Sequence, residues 1–256
     1  MKPAYTLQAQ QLVLEIGNKS ICQNLDLNTA PGEIWGILGQ NGSGKSTFLH
    51  TLGGLHQAQQ GDIYIEKRKL SQYPSKQRAQ IIGLLFQDSQ ANFPQTVWEY
   101  CLAGRYPHFL SFLETQSDRE AALAALEIMQ LDQQRDQNIL SLSGGEWRRL
   151  TMATLLAQNP SIYLLDEPLN HLDLRHQRRL LNYFQSRARH EKITVLMALH
   201  DINVAEQYCD HILMFFGEGE TLAGGKDILT EANLTRLYGH TIHAHATEQG
   251  KWWIAI

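Results

Sequence analysis

Cysteine is scarce in this chain of 256 residues: Cys22, Cys101 and Cys209 stand far apart, with no C-x-x-C pair. That spacing excludes a disulfide framework and a cysteine-based zinc site, and it fits a reducing compartment. Long hydrophobic runs are also missing. Apolar stretches such as 162–165 and 193–199 fall well short of the roughly 20 residues a spanning helix needs, so work at a membrane would require other chains to supply the spans. A basic excess is absent too. Twenty-two Lys and Arg against 26 Asp and Glu give a net charge of -4, and no cationic stripe points to nucleic acid. Residues 1–11 are polar and carry no apolar core of a secretory signal, which predicts a cytoplasmic chain.

What is present is an ordinary globular balance, 43% hydrophobic and 19% charged, in a chain long enough for one large domain with an inserted lobe. Apolar runs at 34–38, 81–86, 162–165, 193–199 and 212–216 read as strands of a buried sheet. Helical stripes lie between several of them. Phe48, Leu49 and Leu52 are closed by Gly53-Gly54, and Leu180, Leu181, Phe184 and Ala188 share one face. This alternation predicts an α/β fold.

From 89 to 157 the pattern changes to helix starts. Thr96 with Glu99, and Ser117 with Glu120, fit the S/T-x-x-E capping box, and Ala122, Leu123, Leu126 and Met129 then form an apolar face. The expected organisation is one domain over 1–256, with an α/β core from 1–88 and 158–256 and a helical lobe from 89–157. The tail at 251–256, with Trp252 and Trp253, reads as a last edge strand covering apolar surface.

The segment Gly39-Gln40-Asn41-Gly42-Ser43-Gly44-Lys45-Ser46-Thr47 fits G-x-x-x-x-G-K-[ST] and stands between a predicted strand and a predicted helix. Glycines let the backbone approach phosphate oxygens, and the helix N-terminus adds positive partial charge. Gly39, Asn41, Gly42, Ser43, Gly44 and Thr47 are therefore expected in the cradle. Lys45 is expected to neutralise the β- and γ-phosphates, and Ser46 to place its hydroxyl on Mg²⁺. The cradle alone says only that a nucleotide binds. The strand 162–165 ends in Asp166-Glu167, where a sheet's carboxyl edge faces a nucleotide. Asp166 is expected to hold hydrated Mg²⁺, and Glu167 to act as general base on the attacking water.

Between these two motifs, Leu142-Ser143-Gly144-Gly145-Glu146 opens a helical pattern, another anion site of hydroxyl and glycine N–H groups at a helix N-terminus. On these residues, in this order, the chain resembles the ABC ATPases. The resemblance runs from about 7 to 237. It implies a P-loop NTPase core of the ABC ATPase type with an inserted helical lobe and an N-terminal antiparallel β region. It also implies ATP and Mg²⁺ as ligands, and a homodimer in which Ser143, Gly144 and Gly145 of one copy cover the ATP cradled by the other. Gln87 resembles the family's glutamine that contacts Mg²⁺, Asp173 in Asn170-His171-Leu172-Asp173 the aspartate that meets the second copy, and His200 the histidine that contacts the γ-phosphate. Ile16 departs from the family, standing where many relatives place an aromatic that stacks on adenine. Trp147 stands where glutamine is usual, and Leu169 where threonine is common.

Gly104-Arg105-Tyr106-Pro107-His108, together with Leu199-His200-Asp201-Ile202-Asn203, is similar to the iron-siderophore, haem and cobalamin importer branch. The first of these segments faces the permease in that branch, and generic packing within the lobe is the other reading of it. The branch implies transmembrane permease subunits as partners, a periplasmic binding protein met indirectly, no nucleic acid, and a place on the cytoplasmic face of the inner membrane. An export ATPase and a soluble scaffold ATPase, such as one serving iron–sulfur assembly, are the alternatives. A DNA-repair ATPase is disfavoured because no long heptad insertion separates the motifs. His240, His243 and His245 suggest a metal cluster, but an exposed strand accounts for them equally well.

Overall fold

Runs that are apolar at every position make stable strands only when both sheet faces are covered, and the chain contains several. The computed structural model describes residues 3–17, 19–87, 93–109, 113–247 and 250–256. Its regular elements begin with β1 (Leu7–Ile16), β2 (Lys19–Asn28), β3 (Ile34–Gly39), α1 (Lys45–Leu52), β4 (Gln60–Ile65), β5 (Arg68–Lys69), α2 (Ser75–Ile81) and β6 (Ile82–Leu85). A helical stretch follows, with α3 (Val97–Ala103), α4 (Gln116–Ile128) and α5 (Gly144–Gln158). The remainder holds β7 (Ile162–Leu165), α6 (Leu174–Glu191), β8 (Thr194–Ala198), α7 (Ile202–Tyr208), β9 (His211–Gly217), β10 (Glu220–Gly225), α8 (Glu231–Tyr238), β11 (Ile242–Thr247) and β12 (Gly250–Ala255).

Among the described residues the main sheet runs β10-β9-β3-β8-β7-β6, parallel except for β10 at the edge. β3, β7 and β8 are buried at every position. Their side chains alternate between two cores, as the strand period of two requires. Trp35, Ile37, Ile162, Leu164, Leu196 and Ala198 pack with Phe48, Leu49 and Leu52 of α1. Ile34, Leu38, Tyr163, Leu165, Val195 and Met197 pack with α5 and with Leu180, Leu181 and Phe184 of α6. Each such large apolar side chain contributes about 1.5–3 kcal/mol of burial.

The second sheet, β2-β1-β4-β5, is antiparallel throughout and sends Leu7, Leu12 and Leu14 into the α1 core. This is the expected N-terminal antiparallel region. The expected strand at 81–86 is shorter, because Ile81 closes α2 and pairing starts at Ile82. The tail strand is β12, which pairs with β11 in a separate hairpin. Asn203 on α7 holds it, accepting from Trp253 N at 2.7 Å and donating to Trp253 O at 3.1 Å, and the Trp253 ring is buried.

Helices α3, α4 and α5 occupy the stretch expected to be helical; the boundary expected at 88/89 lies outside the described residues, and the one expected at 157/158 falls before the last residue of α5, Gln158. Thr96 and Glu99 make the capping box of α3. The box expected at Ser117 and Glu120 does not form: Thr115 caps α4, Asp118 completes the box, and Ser117 lies inside the helix. Asp118 wins because it is buried and receives Arg105 Nε at 2.9 Å, whereas Glu120 is exposed. Trp147 on α5 packs on Tyr100 of α3 at 5.0 Å between ring centroids, which gives this unexpected residue a place in helix packing.

Candidate active site

Because β3, β8, β7 and β6 are parallel neighbours, their carboxyl ends open on one edge of the sheet, the edge where ligands of such sheets sit. Each strand delivers one part of the sequence-predicted set: the glycine-rich loop after β3, Gln87 beyond β6, Asp166 and Glu167 after β7, and His200 beyond β8. A cavity of about 520 Å³ lies there, within the size range of small-molecule sites. It is lined by Asn41, Gly42, Gly44, Lys45, Ser46 and Thr47 of the loop and of α1, by Gln87, Glu167 and His200, and by Ile16, Lys19 and Ile21 from the antiparallel sheet.

The loop needs glycine at Gly44, whose φ is 103° and where a Cβ would sit 2.4 Å from Ile21 Cγ2. Lys45 Nζ donates to the carbonyls of Gly39 at 2.9 Å and Gln40 at 3.1 Å. Burial lowers its pKa, opposed by the charges of Glu167 and Asp166. Ser43, within the loop, is buried and does not line the cavity.

Burial raises the pKa of Asp166, the Ser46 hydroxyl acts to lower it, and the Glu167 charge raises it further. Neither carboxylate oxygen of Asp166 has a hydrogen-bond partner of ordinary geometry. A buried carboxylate with open lone pairs beside a serine hydroxyl is a hard-oxygen donor set, and it fits Mg²⁺.

Glu167 has a left-handed backbone, φ 47°, which costs a non-glycine residue about 1–2 kcal/mol and survives where the surroundings enforce it. Its carboxylate is fixed from three directions. His200 Nε2 lies 2.7 Å from Oε1, Gln87 Nε2 donates to Oε2 at 3.1 Å, and Asn170 Nδ2 donates to the same oxygen. Lys45 and Glu167 both line the cavity.

Ser143, Gly144, Gly145 and Asp173 do not line this cavity. Ser143 caps α5, its hydroxyl donating to Glu146 Oε2 at 2.7 Å, and a Cβ at Gly144 would meet nothing within 4 Å. Asp173 caps α6, accepting from His176 N at 2.8 Å. The segment at 104–108 turns partly inward: Arg105 is buried on Asp118, His108 Nε2 lies 2.7 Å from Gln158 O, and Tyr106 is exposed. His243 Nδ1 lies 3.4 Å from Glu231 Oε2, and among the described residues no group of three or more His, Cys, Asp or Glu side chains is placed to hold a metal ion.

Sequence reasoning missed Lys19, whose Nζ donates to Gly42 O at 2.5 Å, and Asn170, which grips Glu167. Lys19 carries no local signal, since a strand register places it against the loop. Asn170 stands three residues after Glu167, a spacing that the turn there converts into contact.

Residues 22–170, more than half of the chain, match the family described as "ABC transporter". The ferric enterobactin transport ATP-binding protein FepC of Escherichia coli (strain K12) is 36% identical over 236 residues, covering 91% of this chain and 87% of that protein. The hemin import ATP-binding protein HmuV of Pseudomonas entomophila is 36% identical over 239 residues, covering 91% and 92%. Among solved structures, one described as an inward-facing metal-chelate type ABC transporter aligns with TM-score 0.83 at 26% identity, over 98% of both chains. The ATP-binding cassette MJ0796, in a dimeric post-hydrolysis state bound to ADP and Pi, aligns with TM-score 0.76 at 27% identity, over 86% of this chain and 98% of that one. The chain belongs to the ABC transporter ATP-binding family and is an ATPase of that type.

Proposed function

We propose that this chain is the ATP-hydrolysing motor of a membrane importer, and that two copies close around two ATP molecules. The observation carrying this reading is the convergence of Lys45, Gln87, Glu167 and His200 on one cavity, with Ser143–Gly145 elsewhere on the same chain. A single copy holds the triphosphate but cannot cover it with its own signature loop, Leu142-Ser143-Gly144-Gly145-Glu146. A second copy supplies that cover, with Asp173 at the seam. No helix among the described residues is long and apolar enough to cross a membrane, so permease subunits would supply the pathway, and a periplasmic binding protein would deliver cargo to them. The chain would work at the cytoplasmic face of the inner membrane.

In the cradle, backbone N–H groups and Lys45 balance the phosphate charge. Bound Mg²⁺, held by Ser46, Asp166 and Gln87, would neutralise charge gathering on the phosphate oxygens. Glu167 accepts a proton from the attacking water while the water oxygen bonds to the γ-phosphorus and the bond from that phosphorus to the β–γ bridging oxygen breaks, leaving ADP and phosphate. His200 and Gln87 hold the Glu167 carboxylate in that posture, and His200 can also donate to a γ-phosphate oxygen. Loss of the γ-phosphate removes the bridge between the two copies, so closure and opening follow from different affinities for ATP and ADP.

The similarity to FepC, HmuV and the metal-chelate type transporter supports a metal chelate as the cargo class. Affinity purification of the tagged chain from its native membranes tests the reading. Recovery with a multi-spanning permease is expected, and recovery only with soluble assembly proteins would overturn it.

A further inference from the structure

Arg148 lies on α5, five residues after Ser143, with its side chain buried. Its Nη1 donates to Phe86 O at 2.7 Å and Gln87 O at 3.3 Å, and its Nη2 donates to Asp166 O at 2.7 Å and Glu167 O at 2.5 Å. One guanidinium therefore joins the helix opened by the signature loop to the carboxyl ends of β6 and β7. Two of the four carbonyls belong to Gln87 and Glu167, whose side chains meet at 3.1 Å in the cavity. Glu167 also keeps its left-handed backbone at this point of attachment, a conformation maintained only where neighbours over-determine it. A planar fork with donors at both tips serves four carbonyls from one position, which a lysine ammonium or a glutamine amide cannot do.

We propose that Arg148 is a positioning residue: it sets Glu167 and Gln87 for hydrolysis, and it transmits the docking of α5 on a second copy's nucleotide to this chain's own carboxylate. The second role rests on the dimer proposed above. When Ser143–Gly145 engage the partner's phosphate, α5 is pulled at its N-terminus, and Arg148 passes that movement to the ends of β6 and β7. The two hydrolysis sites then act together.

The test compares full-length wild type with Arg148→Gln and Arg148→Lys in steady-state hydrolysis against MgATP concentration, with MgATP Kd measured separately. For Arg148→Gln, kcat is expected to fall roughly 10- to 100-fold, as when a reacting group is misplaced by a fraction of an ångström. Its Kd should stay within about threefold, and its Hill coefficient should move from about 2 towards 1. Arg148→Lys should recover part of kcat and less of the cooperativity. Amide exchange in folded protein should accelerate selectively at 83–87 and 164–168. Wild-type kcat and cooperativity in Arg148→Gln would overturn the proposal, as would a loss of kcat matched by loss of ATP affinity and of folded protein. If Arg148→Gln does not fold, Arg148→Lys decides by the same readouts. A wild type that hydrolyses no ATP would strike the proposed function, and the exchange measurement would then decide the clamp alone.

Discussion

Ile16 puts an aliphatic side chain, 53% exposed, at the mouth of the nucleotide cavity. An aromatic there would offer a base a flat face, and base–aromatic stacking contributes about 1–3 kcal/mol. Ile16→Tyr is therefore expected to tighten ATP binding by about fivefold or more, with little change in kcat, because stacking acts alike on ground and transition states. Calorimetric Kd values for ATP and for inorganic triphosphate check this: tightening confined to ATP supports the geometry, and equal effects on both contradict it. Lys45 and Ser46 were legible as candidates because they open α1 within the glycine-rich motif, Asp166 and Glu167 because they follow the apolar strand β7, and His200 only through the family resemblance. Lys19 and Arg148 were not. Their roles exist only once a strand register and a helix packing bring their long side chains onto carbonyls far away in sequence.

At the scale of elements, the helical lobe is pinned by a buried ion pair. Arg105, two residues beyond α3, meets Asp118 Oδ1 through Nε at 2.9 Å and donates through Nη1 to Ala157 O at 2.8 Å, so α4 and α5 converge on one guanidinium. Burial alone would raise the Asp118 pKa, but the Thr115 hydroxyl and N–H, with Arg105, outweigh it and hold the carboxyl below its usual 3.8. A depressed folded-state pKa stabilises the protein fully above the unfolded value, and that contribution is lost as pH falls through the folded one. Asp118→Asn is expected to lower stability at pH 7 by about 2 kcal/mol, the scale of a hydrogen bond to a charged group. Its deficit relative to wild type should shrink as pH drops below about 4. Urea unfolding midpoints at pH 7 and at pH 3.5 check the sign, and a deficit that grows on acidification would contradict it. The same carboxylate explains why the sequence pattern misplaced the start of α4. Capping chemistry is available at both Thr115 and Ser117, and only the tertiary partner Arg105 selects between them.

At the scale of the molecule, the sheet order brings one segment from each of four parallel strands to a common edge, while the signature loop opens α5 away from that cavity. The α/β core and the helical lobe could be read from apolar runs and helix starts. Strand order and the separate C-terminal hairpin could not, since both depend on contacts between distant segments. On the proposed function, a single copy binds ATP and a second copy is needed to enclose it. Glu167→Gln separates these steps, because an amide keeps the shape of the carboxylate but does not accept the proton. The most direct test is light scattering on Glu167→Gln with MgATP, alongside its hydrolysis rate. A nucleotide-dependent dimer with turnover reduced about 100-fold or more is expected; a chain that stays monomeric at saturating ATP and hydrolyses it at the wild-type rate would contradict the proposed motor.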